Sequence, residues 1–116
     1  MNNLANEKIV LSKKGDAAIS RDDADTLLTT INDWSIVTEE CEKLTKCYKL
    51  PNYLTAVELT RKFAAIAEQV NHHPVIMLEW GKVTVTWWTH VIGGLHKNDF
   101  IMAAKCDRAA MLVTAP

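Results

Sequence analysis

The chain lacks several features that would place it in a large class at once. Its three cysteines, Cys41, Cys47 and Cys106, are an odd number without a Cys-x-x-Cys pair. That argues against a disulfide framework or a structural zinc site, and for the reduced thiols of a cytoplasmic protein. A Cys41–Cys47 bridge across a hairpin is the minor alternative. There is no excess of either charge: 13 basic residues face 14 acidic ones, for a net charge of −1. Nothing in that balance calls for nucleic acid or an anionic membrane as a partner. No apolar run approaches the roughly 18 residues that a membrane-spanning helix needs. The start, Met1-Asn2-Asn3-Leu4, lacks the basic, apolar, small-residue order of a signal peptide. Internal repeats and low-complexity tracts are also missing.

What remains is the composition of an ordinary globular domain, 48% hydrophobic and 23% charged over 116 residues. The expectation is one domain over residues 20–116, preceded by a polar, weakly patterned extension over residues 1–19 that is partly disordered. Ser20 followed by Arg21-Asp22-Asp23 reads as a capped helix start, and Leu27, Leu28 and Ile31 continue it at helical spacing. Asn32-Asp33 breaks the helix. Trp34–Val37 and Leu44–Leu50 then read as two strands of a hairpin. Pro51-Asn52 caps a long helix with an apolar seam of Ala56, Leu59, Phe63, Ile66 and Val70. Tyr53, Val57 and Ala64 beside the seam offer extra apolar surface for an oligomer contact. Pro74 ends this helix by Asn71 or His72. A second hairpin follows. With Gly81-Lys82 as its turn, Trp80 opposes Val83, Leu78 opposes Val85 and Ile76 opposes Trp87, all on one apolar face. His90 ends the wetter face. A last helix runs from about Lys97 to Val113. The class is α+β, in the order α-β-β-α-β-β-α: a four-stranded antiparallel sheet with three helices packed on one face.

Groups with chemistry near neutral pH concentrate in Glu68-Gln69-Val70-Asn71-His72-His73-Pro74. Glu68 and His72 stand four apart, so on a helix the carboxylate can orient that imidazole. His73 points elsewhere. If His90 lies beside the helix end, three imidazoles surround one pocket and can both give and take a proton. Asp99, in the first turn of the last helix, either fixes the far side of that pocket or complements the helix dipole. A His-His pair alone is more often a helix end or a surface accident. A three-histidine metal site competes, but Glu68-x-x-x-His72 is not a His-Glu-x-x-His motif, and no metal is expected.

Taken together, Glu68, His72-His73-Pro74, Trp80, His90 and Asp99 resemble, in residue type and spacing, the signature of the pterin-4a-carbinolamine dehydratases. The likeness extends from Trp34 through Tyr48 and Asn52 to the last helix. Residues 79–88 and 94–104 resemble the bacterial branch associated with phenylalanine hydroxylase. Animal members usually carry Ser or Thr where His96 stands, so His96 is either a helix cap or part of the pocket rim. The resemblance implies dehydration of 4a-hydroxytetrahydrobiopterin, or a related 4a-hydroxytetrahydropterin, to the quinonoid dihydropterin, in pterin recycling for aromatic amino-acid hydroxylation. It implies His72, His73 and His90 as catalytic groups with Glu68 in support. Trp88, Asp99, Pro74 and Thr89 are implied around the substrate, with no cofactor. Trp88, on the wetter face two residues before His90, is open among stacking on the pterin, a subunit contact and plain exposure. A homodimer or homotetramer and a functional link to phenylalanine hydroxylase are further expectations. The alternative is a non-catalytic regulatory module, since animal members also serve as dimerisation cofactors of a homeodomain transcription factor.

Overall fold

The structure, a computed structural model, describes residues 4–114, with the side chain of Thr114 left aside. Helix α1 spans Arg21–Leu28, strands β1 and β2 Ser35–Glu39 and Cys41–Lys49, and helix α2 Tyr53–Val70. Strands β3 and β4 span Val75–Glu79 and Lys82–Trp87, and helix α3 runs from Lys97 to Thr114. The strands form one antiparallel sheet in the order β1-β2-β4-β3.

Local signals place the helices. Ser20 Oγ accepts the Asp23 N–H, and Asn52 Oδ1 accepts the Thr55 N–H, so both predicted N-caps form. At the far end of α2, Asn71 takes a left-handed conformation (φ 52°) and the helix stops. One sheet face is buried: Leu44, Tyr48, Val83, Val85 and Trp87 meet Ala56, Leu59, Phe63 and Ala67 of α2 and the apolar residues of α3. The opposite face is open, with Val75 and Met77 each about half exposed.

Three details differ from the sequence expectations. The β3–β4 turn is Trp80-Gly81, not Gly81-Lys82, because Glu79 pairs with Lys82 and Leu78 with Val83. Gly81 sits at φ +70°, where glycine carries no Cβ penalty, and its carbonyl accepts the Leu50 N–H at 2.8 Å. The pairing slips by two residues, so Ile76, Leu78, Val83 and Val85 keep their faces. Trp80, however, moves from the core to the turn and is 72% exposed. The first hairpin turns at Glu40 alone (φ 68°), so β2 starts at Cys41. Cys41 and Cys47 therefore lie six residues apart along one extended strand, about 20 Å, too far to bridge. All three cysteines are free, and burial pushes the Cys106 thiol pKa up.

The amino-terminal stretch is laid along α3. Leu4 and Ala5 are buried, and Lys105 Nζ and Arg108 Nη2 donate to the Ala5 carbonyl at 2.8 and 2.9 Å.

The turn placement has a direct test in urea unfolding. Trp80→Ala should change the unfolding free energy by no more than about 0.5 kcal/mol, as exposed sites do. Trp87→Ala, at a fully buried site, should cost about 3–5 kcal/mol.

Candidate active site

Three chain segments meet where α2 ends. Past Asn71 the backbone leaves the helix, so the i,i+4 neighbourhood of Glu68 no longer holds at His72. His72 turns inward instead. Its ring lies over the buried Trp87 indole, with centroids 5.3 Å apart, and its Nε2–H donates to Asp99 Oδ1 at 2.7 Å. The expected Glu68–His72 pair is thus replaced by two others. Asp99 holds His72, and Glu68 reaches His73 Nε2. The two pairs stand in different surroundings: the His72 and Asp99 side chains are 11% and 0% exposed, those of His73 and Glu68 51% and 75%.

Asp99 is more than a dipole complement. Its Oδ2 also accepts the Thr89 hydroxyl at 2.9 Å and the His96 backbone N–H at 3.0 Å. Three donors around one buried carboxylate satisfy it as its burial demands. His96 is the cap of α3. Its Nδ1 accepts the Asn98 N–H at 3.0 Å, while the Asp99 carboxylate reaches back to the His96 N–H, a capping box built from His and Asp. Of the two roles open for His96, the structure shows the cap.

Strand β4 ends at Trp87, earlier than expected. Thr89 then pairs with Gly94, and a short 3-10 turn, His90–Ile92, carries the third imidazole. Gly93, at φ 62°, closes that turn. The His90 ring packs on Trp88, with centroids 4.6 Å apart, and Lys43 Nζ covers the Trp88 ring at 4.2 Å.

His72, His73, His90 and Thr89 line one cavity of about 310 Å³. That is the small end of the range for small-molecule sites, about 300–1,000 Å³. Glu68, Trp88, Asp99 and Pro74 are not among its walls. Asp99 and Trp88 stand behind His72 and His90, and Glu68 holds His73 from the side. Four of the remaining walls went unforeseen as site residues: Asn98 and Val91 beside the histidines, and Leu11 and Ser12 from the amino-terminal arm. No periodicity marks those four, and of them only Asn98 lies in a stretch that resembles the family's bacterial branch, residues 94–104. A larger hollow of about 620 Å³ lies on the outer face of α2, lined by Leu54, Val57, Glu58, Arg61, Lys62 and Ala65, with no histidine in it. Among the described residues, no three His, Cys, Asp or Glu side chains are grouped to hold a metal ion. Among the described residues, no helix is long and apolar enough to cross a membrane.

Residues 17–109 match the sequence profile of the family described as pterin 4 alpha carbinolamine dehydratase. The chain belongs to that family. A Marinobacter nauticus relative, provisionally named a pterin-4-alpha-carbinolamine dehydratase, is 42% identical over 108 residues, 92% of this chain and 97% of the relative. A similarly named Vibrio vulnificus protein is 49% identical over 78% of this chain and 84% of its own. Among solved structures, a Brucella melitensis transcriptional coactivator/pterin dehydratase superposes with a TM-score of 0.75 at 27% identity, over 80% of this chain and 98% of that one. A pterin dehydratase-like protein identified as a RuBisCO assembly factor in the alpha-carboxysome shares the fold with a TM-score of 0.59 at 20% identity, over 68% of this chain and 90% of that one. The family is one of hydro-lyases, and this chain is a dehydratase of that family.

The Asp99 contacts make two measurable claims. In nitrogen-15 NMR spectra at neutral pH, neutral His72 should carry its proton on Nε2, and Asp99→Asn should shift that tautomer balance. The same substitution should cost about 1.5–3 kcal/mol in urea unfolding, the range for a hydrogen bond to a charged group.

Proposed function

We propose that the chain dehydrates a 4a-hydroxytetrahydropterin, with 4a-hydroxytetrahydrobiopterin as substrate, by proton transfer among His72, His73 and His90. The observation that carries this reading is the convergence of the three imidazoles on one cavity of a size for a bicyclic ring. In the reaction the bond from C4a to its hydroxyl breaks, a proton joins the departing oxygen, and the N5 proton leaves as the N5–C4a double bond forms. Water and the quinonoid dihydropterin result, with no change in electron count and no cofactor in the balance. Such a step needs one acid and one base within hydrogen-bond reach.

The His72 contacts support a division of labour. With Nε2–H committed to Asp99, the Nδ1 lone pair remains free to accept a proton. His72 is therefore the base, and Asp99 is its positioning residue in place of Glu68. His73 or His90, both exposed, supplies the proton to the hydroxyl. Glu68 holds the His73 ring through its Nε2. Thr89 acts through Asp99, and Trp88 steadies His90 from outside the cavity. Pro74 sets the turn after His73.

The wider setting belongs to the same reading: recycling of the pterin for a phenylalanine hydroxylase in the cytoplasm, by a homodimer or homotetramer. Tyr53 and Leu54, 48% and 78% exposed at the start of α2, supply apolar surface for such an assembly. A regulatory role is the second reading, favoured by the coactivator half of the Brucella melitensis protein's description.

The test is to add the purified protein to a phenylalanine hydroxylase reaction and follow the ultraviolet decay of the 4a-carbinolamine. Catalytic amounts should accelerate the decay, with or without a chelator. His72→Ala, His73→Ala and His90→Ala should each lower turnover at least about tenfold. Near-parental rates in all three would defeat the proton-shuttle account. Asp99→Asn should lower turnover more than Glu68→Gln, because the buried pair is the one that solvent does not replace.

A further inference from the structure

The amino-terminal arm precedes residue 17, where the match to the family profile begins, yet it reaches the cavity. Its path is fixed by contacts along α3. Leu4 and Ala5 are buried, and Arg108 Nη1 donates to Asn6 Oδ1 at 2.7 Å. Glu7 pairs with Lys97 at 3.0 Å, and Asn98 Nδ2 donates to the Val10 carbonyl at 2.7 Å. Beyond Ser12 the chain turns back through Lys13 and Asp16, and Ile19 is tied to the Leu95 carbonyl at 2.8 Å. Leu11 and Ser12 are thus the far reach of an anchored loop, set against the cavity. The Ser12 Oγ is covered and, among the described residues, has no hydrogen-bond partner.

We infer that the arm is part of the substrate site: Leu11 and Ser12 form a wall that positions the pterin, and the Ser12 hydroxyl hydrogen-bonds to it. This rests on the dehydratase reading. An unpaired buried hydroxyl is unfavourable in the free protein, and turning it about χ1 toward a bound ligand breaks no existing bond. A pterin has an edge of ring nitrogens, a carbonyl and an amino group, so it offers the donor and acceptor that the hydroxyl lacks. Leu11, 46% exposed, gains apolar cover when a flat ring fills the cavity. The group is a binding residue, because proton transfer is already assigned to the imidazoles.

The test uses steady-state kinetics on the carbinolamine together with thermal unfolding. Ser12→Ala should raise KM roughly three- to tenfold, the equivalent of one neutral hydrogen bond, with kcat within about twofold. Its unfolding midpoint should not fall, since no bond is lost in the free protein. Arg108→Ala, which loosens the arm away from the cavity, should move KM in the same direction. An unchanged KM in Ser12→Ala overturns the inference. So does a raised KM accompanied by a lowered midpoint, which marks a merely structural serine. The unmutated protein, run in parallel, separates the two failures. If it does not accelerate the decay, the dehydratase reading itself fails; if it does and Ser12→Ala matches it, only the arm's role fails.

Discussion

A carboxylate with no exposed surface must be surrounded by donors, and Asp99 draws its three from three different parts of the chain. His72 comes from the end of α2, Thr89 from the exit of β4, and the His96 amide from the start of α3. Each bond to a charged acceptor contributes about 1.5–3 kcal/mol, against a total stability of about 5–15 kcal/mol for a domain. The junction of helix ends and sheet is therefore set by the same group that orients an imidazole. The cavity's geometry follows from the folding of the whole domain rather than from a flexible loop.

A second aspartate on α3 shows what a carboxylate does away from the histidines, in the lining of a separate hollow of about 350 Å³. Asp107 accepts from Tyr48 at 2.6 Å, Lys46 at 2.8 Å and the Trp34 indole at 3.1 Å. Burial, with Asp107 beside it, pushes the Tyr48 phenol pKa far up, so the hydroxyl stays a donor. Every polar group in that cluster is satisfied within it. The result is a clamp between α3 and the first hairpin.

The difference between the clamp and the cavity explains how much could be read from the amino-acid sequence. Helix starts at Ser20 and Asn52 and the stop at Asn71 are local signals, and they stand in the structure where expected; the period-two strands form too, with shifted ends and, in the second hairpin, a shifted register. The likeness that pointed to the family rests on side chains at fixed spacing and needed no geometry. What could not be read was pairing at a distance. Glu68 and His72 look like partners because the i,i+4 rule holds inside a helix, but one left-handed residue at Asn71 ends its reach. Asp99, 27 residues further on, takes the place. Trp80 failed for a related reason: turn register rests on one positive-φ glycine, and either neighbour of Gly81 could have shared the turn. The arm was invisible because its anchors, Asn98, Lys97, Lys105 and Arg108, are surface-type residues more than 80 positions away.

Two adjacent histidines with two carboxylates invite the question of why both pairs are present. In the buried pair, low dielectric and the neighbouring Trp87 ring fix one tautomer and one orientation, which suits a group that must present a lone pair at a set place. In the exposed pair, solvent screens the carboxylate and reaches the His73 ring. The proposed dehydration uses both kinds of group: its base, His72, must meet the ring proton in register, and its acid, His73 or His90, must be reloaded after each water departs. Had Glu68 paired with His72, as helical spacing alone suggests, the base would sit in the wetter environment and Asp99 would be left buried with one fewer donor. The left-handed residue that ends α2 therefore does chemical as well as architectural service: it assigns each histidine to the carboxylate whose surroundings match its task in the proposed reaction.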